Sequence, residues 1–327
     1  MGLIPEAVSA GDGGIVPVQI PYEMPPQFQD TAPVVTVPQN TKPLSPEELQ
    51  RAESLLPLLE GKQEFWAMGE FVHLGEHSVP VLVKARPELA DVEPFKTVMS
   101  GDREAIARLP IEDLEKILAL TLTGMSVDEF RVEVAKWFDT ARDPRWKRPY
   151  TELVYKPMQE VLQYLRANAF RTYIVTGGGQ DFVRVYAERV YGIPPEQIVG
   201  TAGATKYDYG KDGKPVLIKE AKLLLNDNYG GKPEGIHLMI GRRPLAAVGN
   251  STGDREMLEY AKTGTGARLS MLLLHDDAAR EYAYGPAQGL PESKVGTFTQ
   301  QLYDEAKRSG WTVISMKNDW KRIFAFE

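Results

Sequence analysis

The chain has 327 residues, with 38 Lys and Arg against 45 Asp and Glu, for a formal net charge of −7. That balance excludes the basic footprint on which non-specific nucleic-acid binding depends. With no cysteine there are no disulfides, no thiol catalysis and no thiolate metal sites, while the compartment is left open. Hydrophobic residues at 43% and charged residues at 25% are those of a globular protein holding two medium domains, or one large domain with a lid. No apolar run approaches the ~18 residues of a membrane span. The opening "MGLIPEAVSAGDGG" lacks the basic and apolar regions of a signal peptide. A periplasmic chain in which Met1 replaces a removed signal would read the same way.

In chain order, residues 1–44 carry eight of the 24 prolines, which predicts an extended or polyproline-like segment in which helix is excluded. Within it "IVPVQI" and "PVVTV" are short enough to add edge strands, where proline is tolerated. Residues 45–86 read as short amphipathic helices opened by Ser45, Pro46 and Glu48 as cap, first-turn proline and capping-box acid. They loosely resemble a single HEAT-type helix pair, and one such pair cannot bury its own apolar face. From residue 87 the pattern stays helical, with Ser126 and Glu129 forming a second capping box ahead of "VDEFRVEVAKWFDTA".

Beyond residue 168 strands and helices alternate. "RTYIVTG", "EQIVGTAG", "PLAAVGN", "ARLSMLLLHDD" and "WTVISM" are apolar strands, and Asp212-Gly213 marks a hairpin turn. Fully apolar strands between helices predict a parallel sheet covered on both faces, with ligands at the carboxyl ends of its strands.

Two strand ends stand out. "YIVTGGGQDF" puts Thr176 before Gly177, Gly178 and Gly179, where bare backbone N–H groups and a helix N-terminus suit an anion. Phe182 stands where a dinucleotide fingerprint needs its third glycine, so that reading fails. "AAVGNSTGD" ends in Asn250 and Asp254, hard oxygen donors of the kind Mg²⁺ takes; the plainer role for Asp254 is to cap the next helix. Lys232, after a glycine pair, lies between the two motifs in sequence. Its amine is suited to neutralising phosphate and carboxylate charge, although a lone lysine is more often a solvated side chain.

As an ordered set, Thr176-Gly177-Gly178, Lys232 56 residues on, and Asn250 and Asp254 18 and 22 beyond that resemble the haloacid dehalogenase (HAD) superfamily, and most of all its phosphoserine-phosphatase-like hydrolases. "RPYTELVYKPM" and "GWTVISMKNDWKRIF" are similar to the same subgroup. The resemblance implies an α/β, HAD-like Rossmannoid parallel sheet spanning residues 151–327, a helical cap over 87–150, and an extra N-terminal extended and helical segment. It implies Thr176 and Lys232 as catalytic groups, Thr176, Gly177 and Gly178 on phosphate, Asn250 and Asp254 on Mg²⁺, and a small phosphorylated molecule as substrate.

The family's chemistry also needs a nucleophilic aspartate in a D-x-D-x-T pattern at the end of the central strand. No such pattern is found. "LLLNDNYG", with Asp227 between Asn226 and Asn228, and "LLLHDD", with Asp276 and Asp277, both fall after the place in chain order where the nucleophile belongs. The expectation is therefore a phosphatase-family hydrolase of doubtful activity, its central slot filled by "APVVTV", "IVPVQI" or "VPVLVKA". One alternative is a non-catalytic phosphate-binding scaffold whose N-terminal segment binds a protein partner. A second is a zinc hydrolase on "HLGEH", with His73 and His77 as ligands and Glu76 as base, although Gly75 interrupts the helix this motif needs.

Overall fold

The computed structural model describes residues 79–100, 109, 113, 117, 124–143, 145–293 and 296–327. The proline-rich segment, most of residues 45–86, and His73, Glu76 and His77 lie outside them. The described part opens with helices α1 (Val79–Ala85) and α2 (Phe95–Ser100), joined by a 3-10 turn (Pro87–Asp91); Val79, Val83, Leu89 and Phe95 from these elements are buried with Ile117 in a small cluster of their own. "VPVLVKA", one of the segments offered for the central strand, is thus helix α1. Its apolar residues 79 and 83 repeat at the helical spacing of four and turn into this cluster.

Helix α3 (Val127–Thr140) starts where its capping box predicts: Glu129 N–H donates to Ser126 Oγ at 3.1 Å and Ser126 N–H to Glu129 Oε2 at 2.8 Å. Phe130, Val134, Trp137 and Phe138 make one apolar stripe along it. Trp137 stacks on Tyr150, and Phe138 packs edge-on to Tyr186 and against Phe182. After α4 (Lys156–Ala167) come β1 (Ile174–Gly179) and two short helices, α5 (Gln180–Arg184) and α6 (Ala187–Tyr191). The sequence reads as one helix here. The break comes at Tyr186, which leaves helical geometry (φ −122°, ψ −18°) and is buried between Phe138 and Phe182.

Strand β1 pairs in parallel with β2 (Ile198–Tyr209), which turns through residues 210–214 into antiparallel β3 (Pro215–Leu225). The Gly213 turn is the one Asp212-Gly213 predicts, with φ +75° at the glycine. At the outer edge of β3, Lys219 exchanges backbone hydrogen bonds with Gly124 and Met125, which ties the helical region to the hairpin.

The rest of the chain is more regular. Helix α7 (Gly231–Ile240), β4 (Ala246–Gly249), α8 (Arg255–Lys262), β5 (Leu269–Leu274), α9 (Gln300–Arg308), β6 (Thr312–Ser315) and the short α10 (Met316–Asp319) follow in order. Strands β4, β5 and β6 form a parallel sheet without a register break. Leu272 and Leu274 of β5 face the cluster under α8 and α9, with Leu258, Leu302 and Trp311, while Leu273 faces Leu153, Met316, Trp320 and Phe324. Burial on alternate sides is what a strand covered on both faces requires.

The chain is therefore α/β with parallel strands, as its pattern predicts, but the strands fall into two sets of three, β1-β2-β3 and β4-β5-β6. Among the described residues β1 and β4 are both edge strands. Their carboxyl ends carry the two motifs that the sequence singles out.

Candidate functional site

Both strand ends are built for close approach. At the end of β1, Gly178 N–H donates to Thr176 Oγ1 at 3.0 Å, and Thr201 Oγ donates to Gly177 O at 2.7 Å. The Thr176 hydroxyl proton is left for a further acceptor, since an oxygen that accepts from Gly178 can still donate. A side chain at residue 177 would displace the Asn228 amide, which occupies the place of its Cβ.

At the end of β4 the chain turns through a second capping box. Asp254 Oδ2 accepts from the N–H groups of Asn250 at 2.9 Å and Ser251 at 3.1 Å, while Gly253 N–H donates to Ser251 Oγ at 3.2 Å. This leaves Asp254 Oδ1 for Lys232, whose Nζ lies 2.9 Å away in a pair about 5% exposed on either side. The same ammonium donates to Val175 O of β1 at 3.0 Å. From the first turn of α7, Lys232 therefore ties the end of one sheet to the end of the other.

Residues 226–231 complete that bridge. Asn228 abuts Gly177, and Tyr229 N–H donates to Gly253 O at 3.0 Å, so the loop joins the β1 turn to the β4 turn. Its tightness depends on Gly231, where a Cβ would lie 1.8 Å from Asn226 O.

Inside the loop sits Asp227, fully buried, with its N–H donated to Thr201 Oγ1 at 3.1 Å; among the described residues no donor makes a well-aligned hydrogen bond to its carboxylate, and the Thr176 N–H approaches it. Burial pushes its carboxyl up to about 7. The Lys232 ammonium and the Thr176 backbone N–H pull it the other way, and the Asp254 carboxylate adds to the rise. Chain order argued against this aspartate, yet the fold brings it to Lys232 and Asp254. The antiparallel return of β3, which Asp212-Gly213 announces, delivers it; no local pattern shows that the end of that return meets Lys232 and Asp254. By contrast Asp276 and Asp277 have structural partners: Asp276 accepts from Ser315 Oγ and Lys317 N–H, and Asp277 binds Arg280 at 2.6 Å.

The structure thus gathers Thr176, Gly177, Gly178, Lys232, Asn250 and Asp254 at one end of the two sheets and adds Asp227 and Asn228. A hard cation would find oxygen donors in the Asn250 side-chain carbonyl, on which no hydrogen bond ends among the described residues, in Asp254, and in the carboxylate of Asp227. This donor set fits Mg²⁺, which takes one or two carboxylates plus waters and substrate phosphate.

Residues 79–259, more than half of the chain, match the profile of the haloacid dehalogenase-like hydrolases. The chain belongs to that family. No curated protein matches it. Among solved structures it is similar to the crystal structure of a phosphoserine phosphohydrolase-like protein from Francisella tularensis subsp. tularensis SCHU S4, at 18% identity and a TM-score of 0.30, over 61% of this chain and 81% of that one. Among the described residues no helix is long and apolar enough to cross a membrane.

Proposed function

We propose that the chain binds a small phosphomonoester together with Mg²⁺ at the ends of β1 and β4, and that it lacks the aspartate that would attack phosphorus in this family. The observation that carries this reading is Lys232, a buried ammonium held between Val175 O and Asp254 Oδ1 where a turn suited to an anion meets one that carries oxygen donors for a cation. Thr176 with the backbone of residues 177–178 would hold phosphate oxygens, and Asn250 and Asp254 would hold the cation. Lys232 would bridge carboxylate and phosphate charge, so that a dianion can approach an otherwise acidic pocket. When bound, Mg²⁺ would offset the charge on phosphate.

Turnover is a separate matter. No aspartate of the chain stands in an Asp-x-Asp pattern, and Asp227 follows the antiparallel strand β3 rather than a parallel strand. Loss of a catalytic nucleophile costs on the order of 10⁶ in rate in a well-studied protease. Hydrolysis of a generic aryl phosphate should therefore stay at background with Mg²⁺ or EDTA, while calorimetry detects Mg²⁺-dependent binding of inorganic phosphate that is lost in Asp254→Asn. Metal-dependent turnover abolished by Asp254→Asn would show instead that the chain carries a working nucleophile. A wild-type protein that binds no phosphate would remove the reading altogether.

A further inference from the structure

Behind Asn250 lies a polar chain that the phosphate site does not use. His275 follows the last residue of β5 and is 2% exposed; Glu281 is fully buried and returns to it because the intervening loop is pinned. Arg145 holds that loop from outside through the carbonyls of Ala278, Ala279 and Glu281, with its guanidinium over Trp146 and Tyr282. Tyr284 N–H donates to His275 O at 3.1 Å, and the Tyr284 ring stacks on the imidazole at 4.3 Å. The stack and this bond hold the imidazole in one plane. In it Nδ1 lies 3.2 Å from Glu281 Oε2, and Nε2 lies 3.3 Å from Asn250 Nδ2, which also approaches Tyr284 OH at 3.5 Å.

An imidazole beside a buried carboxylate keeps its proton on the nitrogen that faces it, because a buried carboxylate deprived of that donor is costly. Glu281 has little choice, since among the described residues its Oε1 accepts no hydrogen bond. With the proton on Nδ1, Nε2 is an acceptor and takes a proton of the Asn250 amide. An amide donating from Nδ2 on one side presents Oδ1 on the other. The opposite tautomer would place an N–H against the amide and turn it over, offering NH₂ to a cation that requires oxygen.

We propose that Glu281 and His275 are positioning residues for Asn250: their hydrogen-bonded chain fixes the side-chain amide so that its oxygen is the atom offered to the divalent cation. The inference rests on the Mg²⁺-binding reading above and assigns to it two residues that touch neither phosphate nor metal. Partners of this kind typically change metal affinity by about 10- to 100-fold when removed.

Two readouts test it. Nitrogen-15 NMR of the intact chain should show His275 as the Nδ1–H tautomer, and Mn²⁺, used as the probe, should bind about 10-fold or more weakly to Glu281→Gln than to wild type. Glu281→Gln keeps shape and volume, and Tyr284→Phe, which removes the longer contact to Nδ2, should show a smaller loss. An Nε2–H tautomer in the wild type would overturn the proposal, as would unchanged Mn²⁺ affinity in Glu281→Gln where Asn250→Ala has lost it. The Nδ1–H tautomer in a wild-type protein that binds no Mn²⁺ would place the failure in the metal reading, and the amide's assigned task would fall with it.

Discussion

The two three-stranded sheets differ in regularity, and the difference follows the chemistry. Strands β4, β5 and β6 run parallel in unbroken register, buried on both sides by Leu272, Leu273 and Leu274 and their partners. Strands β1, β2 and β3 mix parallel and antiparallel pairing, and their register shifts between Thr176 and Gly179 and again between Ala202 and Thr205. Those shifts lie at the end that meets Lys232 and Asp227. The outer end of the same hairpin carries exposed Tyr207, Tyr209 and Leu217 and is a two-stranded arm. Both halves are held by apolar burial, the irregular one by the cluster of Phe138, Phe182, Tyr186 and Ile198, but only the irregular half also gives up ladder hydrogen bonds where polar groups are brought to one point. Irregular pairing next to a site is how a strand re-aims its side chains.

The sharpest way to break this contrast is at the bridge. Lys232→Met should destabilise the fold by about 3–5 kcal/mol, because it leaves Asp254 buried without its cation, and it should abolish phosphate binding as well. Urea denaturation and calorimetry read the two effects separately. Leu272→Ala in the regular sheet should cost about 2–5 kcal/mol through cavity formation yet leave phosphate affinity unchanged once the protein is folded. Equal losses of affinity in both variants would mean that the two halves are not separable in this way.

A third variant sharpens the role of Asp227. Its folded carboxyl is raised to about 7 from 3.8, so in that window the native state holds a proton that the unfolded chain releases. Stability from this group therefore falls as pH rises from about 4 to about 7, and the penalty is fully present above that. Asp227→Asn should be more stable than wild type at pH 8 by an amount on the order of a few kcal/mol, with the gap closing below about pH 4. Parallel denaturation midpoints across that range would sink the assignment. The smallest effect belongs to the cap that ties helix to hairpin: Ser126→Ala should cost about 1 kcal/mol in thermal denaturation, with no change in phosphate binding.

Much of this protein is legible in its residues. Capping at Ser126 and Glu129, the turn at Asp212-Gly213, and the apolar runs of β1, β4, β5 and β6 are local signals, set by hydrogen bonds and side-chain periods within a few residues. The order Thr176-Gly177-Gly178, Lys232, Asn250, Asp254 is legible too, because each stands at a strand end or helix start that its neighbours define. The split of the strands into two sets and the break at Tyr186 were not, since both depend on partners far along the chain. Nor could sequence place Asp227 beside Lys232, or Glu281 and His275 behind Asn250. The hairpin turn is local, but where its strand ends and how Arg145 pins the loop before Glu281 are contacts between residues distant in sequence that no local period encodes. The sequence by itself determined which chemical groups this protein owns and which short elements carry them. Only the tertiary structure decided which of those groups share a buried, low-dielectric space, and that sharing is what shifts their protons and fixes their direction.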